Sequence, residues 1–154
     1  MDYRYVRYVS VAALLISKER DRFIVGRRVD YDSFKPGELV FPSGRLQKDD
    51  KNLLGRLWNE IEDEVPQLGC FYTNEVYCGD CYFLRDGLPV IQLCFAMPLA
   101  NSSKDRLPTK SHAFKEIFWA DISLLQQEYS RTQNSYIQEM IRFCKIAQEK
   151  GMLR

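Results

Sequence analysis

The first half of the chain predicts a buried strand followed by two shorter strands. Residues 3–16 begin with alternating apolar and polar positions and then become continuously apolar. This change predicts a strand that enters a covered sheet and lies at its centre. After a charged turn at residues 18–22, the β-rich residues 23–29 predict a strand that pairs back as a hairpin. Residues 39–41 predict a short strand that Pro42 ends.

The second half predicts two paired strands, a further strand and two helices. Residues 75–84 and 89–97 are β-rich, and Asp86-Gly87 between them is a two-residue hairpin signal. Residues 114–120 predict a strand, after which Asp121 caps a short helix. Residues 135–150 carry apolar side chains at helical spacing. We expect this last stripe to cover the core or to form a homodimer face.

Residues 41–66 combine a glycine turn, an acidic loop and a helix with clustered carboxylates. Asp49 or Asp50 is expected to cap the helix, and Pro66 to end it. Glu60, Asp63 and Glu64 fall on one helix face, where like charges repel. Arg56 neutralises part of this charge, and the remainder suits a hard cation such as Mg²⁺. The neighbouring face is apolar and predicted to pack inward: Leu53, Leu54, Leu57, Trp58 and Ile61.

These residues resemble the Nudix box, the signature of hydrolases of nucleoside diphosphates linked to another group. Gly44 matches the opening glycine, and Asp50 stands where a glutamate is usual. Glu60 matches the glutamate of the Arg-Glu pair, and Asp63 and Glu64 match the Glu-Glu pair. The spacing between the first two acids is one residue longer than in the signature, and three residues replace its usual ones: Ser43, Asn59 and Pro66.

The resemblance implies a Nudix fold of the α/β class, a mixed β-sheet sandwiched between α-helices, as a single domain over residues 1–154. It also implies cleavage of a phosphoanhydride bond in a small nucleotide-type substrate with Mg²⁺ or Mn²⁺. The implied metal ligands are Glu60, Asp63 and Glu64, of which Glu64 is indispensable. Glu116 is a further candidate for the base that takes the proton from water. The family's carboxylate-orienting arginine is replaced by Asn59, and Arg56 is a candidate substitute.

Four residues are candidates for substrate binding. Arg27 and Arg28 end the second predicted strand, where the family often has a basic residue on the substrate side. A solvated strand end is the alternative interpretation for both. Gly44, which permits a tight turn, and Arg45 complete the set.

Length and charge narrow the class of protein. A chain of 154 residues with 45% hydrophobic composition fits one domain that buries roughly two-thirds of its unfolded surface. The net charge of +1 gives no overall attraction to long nucleic acid. The apolar run at residues 9–16 lacks a secretory layout and is too short to span a bilayer, so we expect no membrane partner. Five cysteines, an odd number, favour the reducing cytoplasm.

The sequence is also compatible with two other functions. The departures from the box favour a Nudix-like module that binds a nucleotide or a protein partner without efficient hydrolysis. Cys78 and Cys81 form a CGDC sequence, which suits half of a zinc site or a redox pair. The favoured interpretation of the two thiols is structural, beside a strand irregularity at Gly79-Asp80.

Overall fold

The computed structural model describes residues 8–30, 37–65, 75–85, 87–99 and 107–154. Residues 3–7 of the first predicted strand, Pro66, Cys70 and Asp86 lie outside these ranges. In chain order the elements are β1 (Tyr8–Ile16), β2 (Phe23–Arg28), β3 (Leu39–Val40), β4 (Ser43–Arg45), α1 (Leu53–Glu64), β5 (Val76–Arg85), β6 (Leu88–Pro98), β7 (Phe114–Ala120), α2 (Ile122–Thr132) and α3 (Ser135–Glu149).

The strands form one mixed sheet in which β1 is central, as predicted. The order is β3-β2-β1-β6-β5, with β4 beside β1 and β7 beside β2. Parallel pairing joins β1 to β6 from Tyr8↔Val90 to Ile16↔Pro98, whereas the other pairs are antiparallel. Six consecutive residues of β1, from Val11 to Ile16, have no exposed surface. The continuously apolar run therefore marks the covered middle of the sheet.

The predicted hairpin between β1 and β2 is confirmed only at its turn. The two strands pair at Ile16↔Phe23. Beyond that point β3 takes the same edge of β2, at Gly26 and Arg27, while β7 pairs along the opposite edge. The cause is β4, which pairs with residues 10–12 of β1 on the edge that β2 would otherwise occupy. The charged turn therefore determines where the chain reverses, whereas β4 limits how far β1 and β2 pair.

Helix α1 has the predicted end but a different N-cap. It ends at Glu64, before Pro66, and Leu57 and Ile61 of the predicted stripe are buried. Asn52 is the N-cap, since its side chain accepts a hydrogen bond from the Gly55 amide at 2.6 Å. The prediction of Asp49 or Asp50 as N-cap was wrong. The side chain of Asp50 instead binds Arg56.

The two C-terminal helices agree with the sequence pattern. Asp121 caps α2 by accepting from the Leu124 amide, although α2 runs to Thr132 and is longer than predicted. The apolar stripe of α3 is buried within this chain, so it covers the core: Tyr136, Met140, Phe143, Cys144 and Ala147. Homodimer formation stays a prediction. None of the helices in the described ranges is long and apolar enough to span a membrane.

A β-bulge lies at the predicted irregularity in β5. The register with β6 shifts between Tyr77 and Gly79, and Gly79 has a φ of 120°, a backbone conformation that favours glycine. Cys78 and Cys81 on either side of it are buried cysteines. Burial raises the pKa of the Cys78 thiol. Both cysteines therefore pack as apolar side chains beside the bulge.

Candidate functional site

Glu64 is a buried carboxylate at the end of α1, with 3% of its surface exposed. Because α1 packs against β4, Glu64 Oε1 accepts a hydrogen bond from the Ser43 amide at 2.7 Å. Its Oε2 lies 2.8 Å from Nη1 of Arg28, which also lies over the Phe114 ring. Burial raises the pKa of Glu64 to about 7, although Arg28 and the Ser43 amide favour the ionised form. The favourable contacts of Glu64 therefore do not fully offset the cost of burying its negative charge.

Glu60 lies one turn earlier, against Gly44, which is part of strand β4 and not of the tight turn that the sequence predicted. A Cβ atom at Gly44 would lie 2.1 Å from Glu60 Cγ, so only glycine permits this approach. Arg56 Nη1 binds Glu60 Oε1 at 3.0 Å, and Arg56 Nε and Nη2 each bind Asp50 at 2.8 Å. The guanidinium holds the pKa of Asp50 below its usual range. Arg56 therefore joins the loop acid to the helix acid.

The chemistry of the two inner acids fits a divalent cation. The charge of Glu60 raises the pKa of Glu64, so the two carboxylates interact. Mg²⁺ typically takes one or two protein carboxylates and completes its shell with water and phosphate oxygens. Asp63 lies apart, with its side chain 62% exposed and 3.1 Å from His112 Nε2. Among the described residues, no three His, Cys, Asp or Glu side chains are placed to hold a metal ion.

Arg27 and Glu116 belong to a different ion-pair network. They are register partners in β2 and β7, and their charged groups lie 3.7 Å apart. Arg27 also binds Glu128 at 3.0 Å, and Arg131 binds Glu128 at 2.6 Å. Burial opposes ionisation of Glu128, but these arginines outweigh it and lower its pKa. The structure thus brings Arg28, but not Arg27 or Glu116, into contact with Glu64.

A pocket opens beside Arg28, Ser43 and Gly44. Arg45, on its rim, lies over the Tyr8 ring with its guanidinium carbon 4.2 Å from the ring centroid. The pocket therefore has a cationic group, Arg28, next to Glu64 and an aromatic surface further along the sheet. Its remaining lining comes from the strands and from α3: Ser10, Val40, Phe83, Arg85, Val90, Gln92 and Tyr136.

The candidate residues predicted from the sequence do not include most of this lining. The lining residues of β1, β5 and β6 occur in pairs two apart, such as Ser10 with Tyr8, because alternate side chains share a sheet face. Ser10 and Gln92 were the detectable signals, since each is a polar residue within an apolar run. They are also register partners in the parallel β1–β6 pair. That pairing is not readable from either run alone.

Comparison with solved structures assigns the fold. The chain is similar to the MutT protein from Methanosarcina mazei Go1, with 18% identity, a TM-score of 0.73 and coverage of 97% of this chain and 99% of that chain. It is also similar to a Nudix hydrolase from Nitrosomonas europaea, with 16% identity, a TM-score of 0.66 and coverage of 88% and 86%. The Nudix domain of Shewanella oneidensis NrtR, solved with ADP-ribose, has 10% identity, a TM-score of 0.60 and 82% coverage of both chains.

The class is therefore defined by architecture: this chain has the Nudix fold, a mixed sheet with flanking helices. The expectation from the box-like segment is confirmed at the level of the fold. No family model matches the sequence, and no curated protein matches it by sequence comparison. At identities of 18% and below, the chemistry has to be argued from the chain's own residues.

Proposed function

We propose that this protein is a Nudix-type hydrolase, dependent on Mg²⁺ or Mn²⁺, that cleaves a pyrophosphate bond in a nucleoside diphosphate linked to another group. One observation carries the proposal. Glu64, at the position that matches the indispensable box glutamate, is buried beside an arginine-lined pocket. A buried carboxylate with a raised pKa, next to a cleft, is typical of a functional site.

The residues around Glu64 have complementary tasks in this proposal. Glu60 and Glu64 hold the cation, which when bound screens the phosphate charge and lowers the pKa of its water. Arg28 lies between Glu64 and the pocket and binds a phosphate oxygen of the substrate. Arg45 and Tyr8 bind the more distant part of the substrate. Glu64 or Glu60 takes the proton from the attacking water.

Two assigned residues need a rearrangement to take part. Asp63 becomes a third ligand only if its side chain leaves His112. Glu116 would have to leave the Arg27 network to act as the base. We further propose a cytoplasmic setting, because Cys78, Cys94 and Cys144 are free thiols.

The decisive experiment measures phosphate or pyrophosphate release from a panel of nucleoside triphosphates, dinucleotides, nucleotide sugars and ADP-ribose. Each compound is tested with Mg²⁺, with Mn²⁺ and with a chelator. We expect turnover that needs the metal and that falls about 10³-fold in Glu64→Gln, because a preorganised charge is lost. Glu62→Gln, on the exposed side of the same helix, is the matched control and should retain wild-type turnover.

A nucleotide-binding module without efficient hydrolysis is the second candidate. The exposure of Asp63 favours it, because in the described part of the chain Glu60, Asp63 and Glu64 are not placed together to hold a metal ion. Binding of a panel compound to the wild type, without turnover under any metal condition, would support this candidate over the hydrolase. Calorimetric titration with the same panel provides that measurement.

A further inference from the structure

Three buried polar side chains connect α3 to Gly44 in β4, the strand before α1. Ser10, Gln92 and Tyr136 expose only 8%, 3% and 7% of their surface. Gln92 Nε2 lies 3.1 Å from Ser10 Oγ, and Ser10 Oγ lies 3.2 Å from the Gly44 carbonyl oxygen. At the other end, the Tyr136 hydroxyl hydrogen-bonds Gln92 Oε1. The connection therefore crosses the paired strands β6 and β1 and ends on Gly44 of β4, which also pairs with Val11 of β1.

Ser10, Gln92 and Tyr136 form a relay of hydrogen bonds that ends on the Gly44 carbonyl oxygen. This last acceptor fixes the direction of every hydrogen bond in the relay. A carbonyl oxygen only accepts, so Ser10 donates its hydroxyl proton to Gly44. Ser10 Oγ is then the acceptor for Gln92 Nε2, which orients the amide and turns Oε1 toward Tyr136. Tyr136 must therefore donate. A buried amide in an apolar strand is costly unless it is satisfied, and one arrangement satisfies it here.

Gly44 is also held from its other side. The Glu60 side chain packs on Gly44 so closely that a Cβ atom there would lie 2.2 Å from the Glu60 carboxylate carbon. Arg56 holds the same carboxylate at 3.0 Å. A movement of the Gly44 peptide would therefore move the surface on which Glu60 rests. The relay through Gln92 acts on that peptide and not on Glu60 directly.

We propose that Gln92 is a positioning residue that acts through Ser10 to hold the Gly44 peptide, and with it the Glu60 carboxylate, in place. The consequence for turnover rests on the proposed hydrolase function. Gln92 contacts no reacting group in this role. Misplacement of a catalytic group by about 1 Å can cost on the order of 10²-fold in rate, so a loosened peptide is sufficient to lower turnover.

The sharpest variant is Gln92→Glu, which keeps the side-chain shape and removes the donor. At a pH high enough to ionise it, the new carboxylate accepts a hydrogen bond from Ser10, so Ser10 no longer donates to Gly44. With Mn²⁺ and the panel compound that the wild type hydrolyses fastest, we expect kcat to fall about tenfold with little change in KM. Gln138→Glu makes the same chemical change on the exposed side of α3 and should retain wild-type kcat.

Ser10→Ala tests the same bond without a buried charge. It should lower kcat as much as Gln92→Glu, and the double variant should be no slower than either single variant, because both break one relay. Urea unfolding of each variant separates this effect from a general loss of stability. Wild-type kcat in Ser10→Ala, or additive losses in the double variant, would overturn the inference.

Nuclear magnetic resonance tests the positioning role without turnover. In Ser10→Ala we expect shifts of the Arg45 amide nitrogen, which follows the Gly44 carbonyl, and of the Glu60 carboxylate carbon. If the wild type hydrolyses no panel compound, the proposed function fails and these two signals alone decide the inference. An unmoved Glu60 signal refutes the positioning role in either case.

Discussion

At the scale of single residues, the environment of Glu64 determines its proton equilibrium. Its carboxylate has two favourable partners, Arg28 and the Ser43 amide, yet burial outweighs them and raises the pKa to about 7. The folded protein therefore binds a proton more tightly at this site than the unfolded chain, whose glutamate has its ordinary pKa of 4.5. Without a cation, ionisation of Glu64 therefore lowers the free energy of unfolding.

This difference predicts a pH-dependent stability with a definite sign. The contribution of Glu64 is fully present below pH 4.5 and is lost as the pH rises through about 7. We expect the free energy of unfolding of the metal-free wild type to fall by about 3 kcal/mol relative to Glu64→Gln across this interval. Urea unfolding with a chelator provides the measurement. A difference between the two proteins that does not change with pH would contradict the prediction.

Arg56 is the second residue whose role follows from its contacts. Its planar guanidinium binds Asp50 through two nitrogens and Glu60 through the third. Lysine has a single ammonium group and does not reproduce this fork. We expect Arg56→Lys to lower kcat about tenfold by releasing Glu60. Arg22→Lys, at an exposed pair with Asp121, is the control, and equal losses in both variants would argue against the role.

At the scale of elements, two glycines permit close approaches with different consequences. A Cβ atom at Gly26 in β2 would lie 2.5 Å from the ring of Phe114 in β7, which has no exposed surface. The corresponding atom at Gly44 in β4 would meet the side chain of Glu60 in α1. The first contact lies in the core, whereas the second lies at the proposed site.

These positions predict opposite phenotypes for the same substitution. Gly26→Ala should lower the free energy of unfolding by roughly 1–3 kcal/mol through overpacking, with unchanged Mn²⁺ affinity. Gly44→Ala should displace Glu60 and weaken Mn²⁺ binding, with a smaller loss of stability. Urea unfolding and Mn²⁺ titration of the two variants compare the effects. The reverse pattern would show that Glu60 has no part in cation binding.

At the scale of the whole molecule, one core connects all the layers. It includes Val11 to Ile16 of β1, Leu57 of α1, Phe114 of β7 and Phe143 of α3, each without exposed surface. A single continuous core predicts cooperative unfolding of one domain. The Glu64 site and the relay from α3 both depend on this core, since each joins elements that are distant in sequence.

Phe143→Ala tests that cooperativity. Removal of a fully buried ring should cost about 3–5 kcal/mol, and the loss should appear throughout the protein. We expect tryptophan fluorescence and far-ultraviolet circular dichroism to report one shared urea midpoint in wild type and variant. Separate midpoints for the two probes would indicate that α3 unfolds independently.

The sequence by itself determined the features that depend on local backbone geometry. The bounds of α1 and β7, the Asp121 cap and the buried stripe of α3 follow from periodicity and capping within a few residues. The box-like spacing likewise led to the Nudix fold. The helix cap was misjudged, because Asp50 binds Arg56 and leaves the cap to Asn52.

The tertiary structure decided which distant side chains meet. Arg28 reaches Glu64 across 36 residues of sequence, and Gln92 reaches Ser10 across 82, while Arg27 turns to Glu128. These choices depend on strand register, on the bulge between residues 27 and 28, and on the burial that raises the pKa of Glu64. Local periodicity carries no information about such pairings, because each is set by the packing of segments that are remote along the chain.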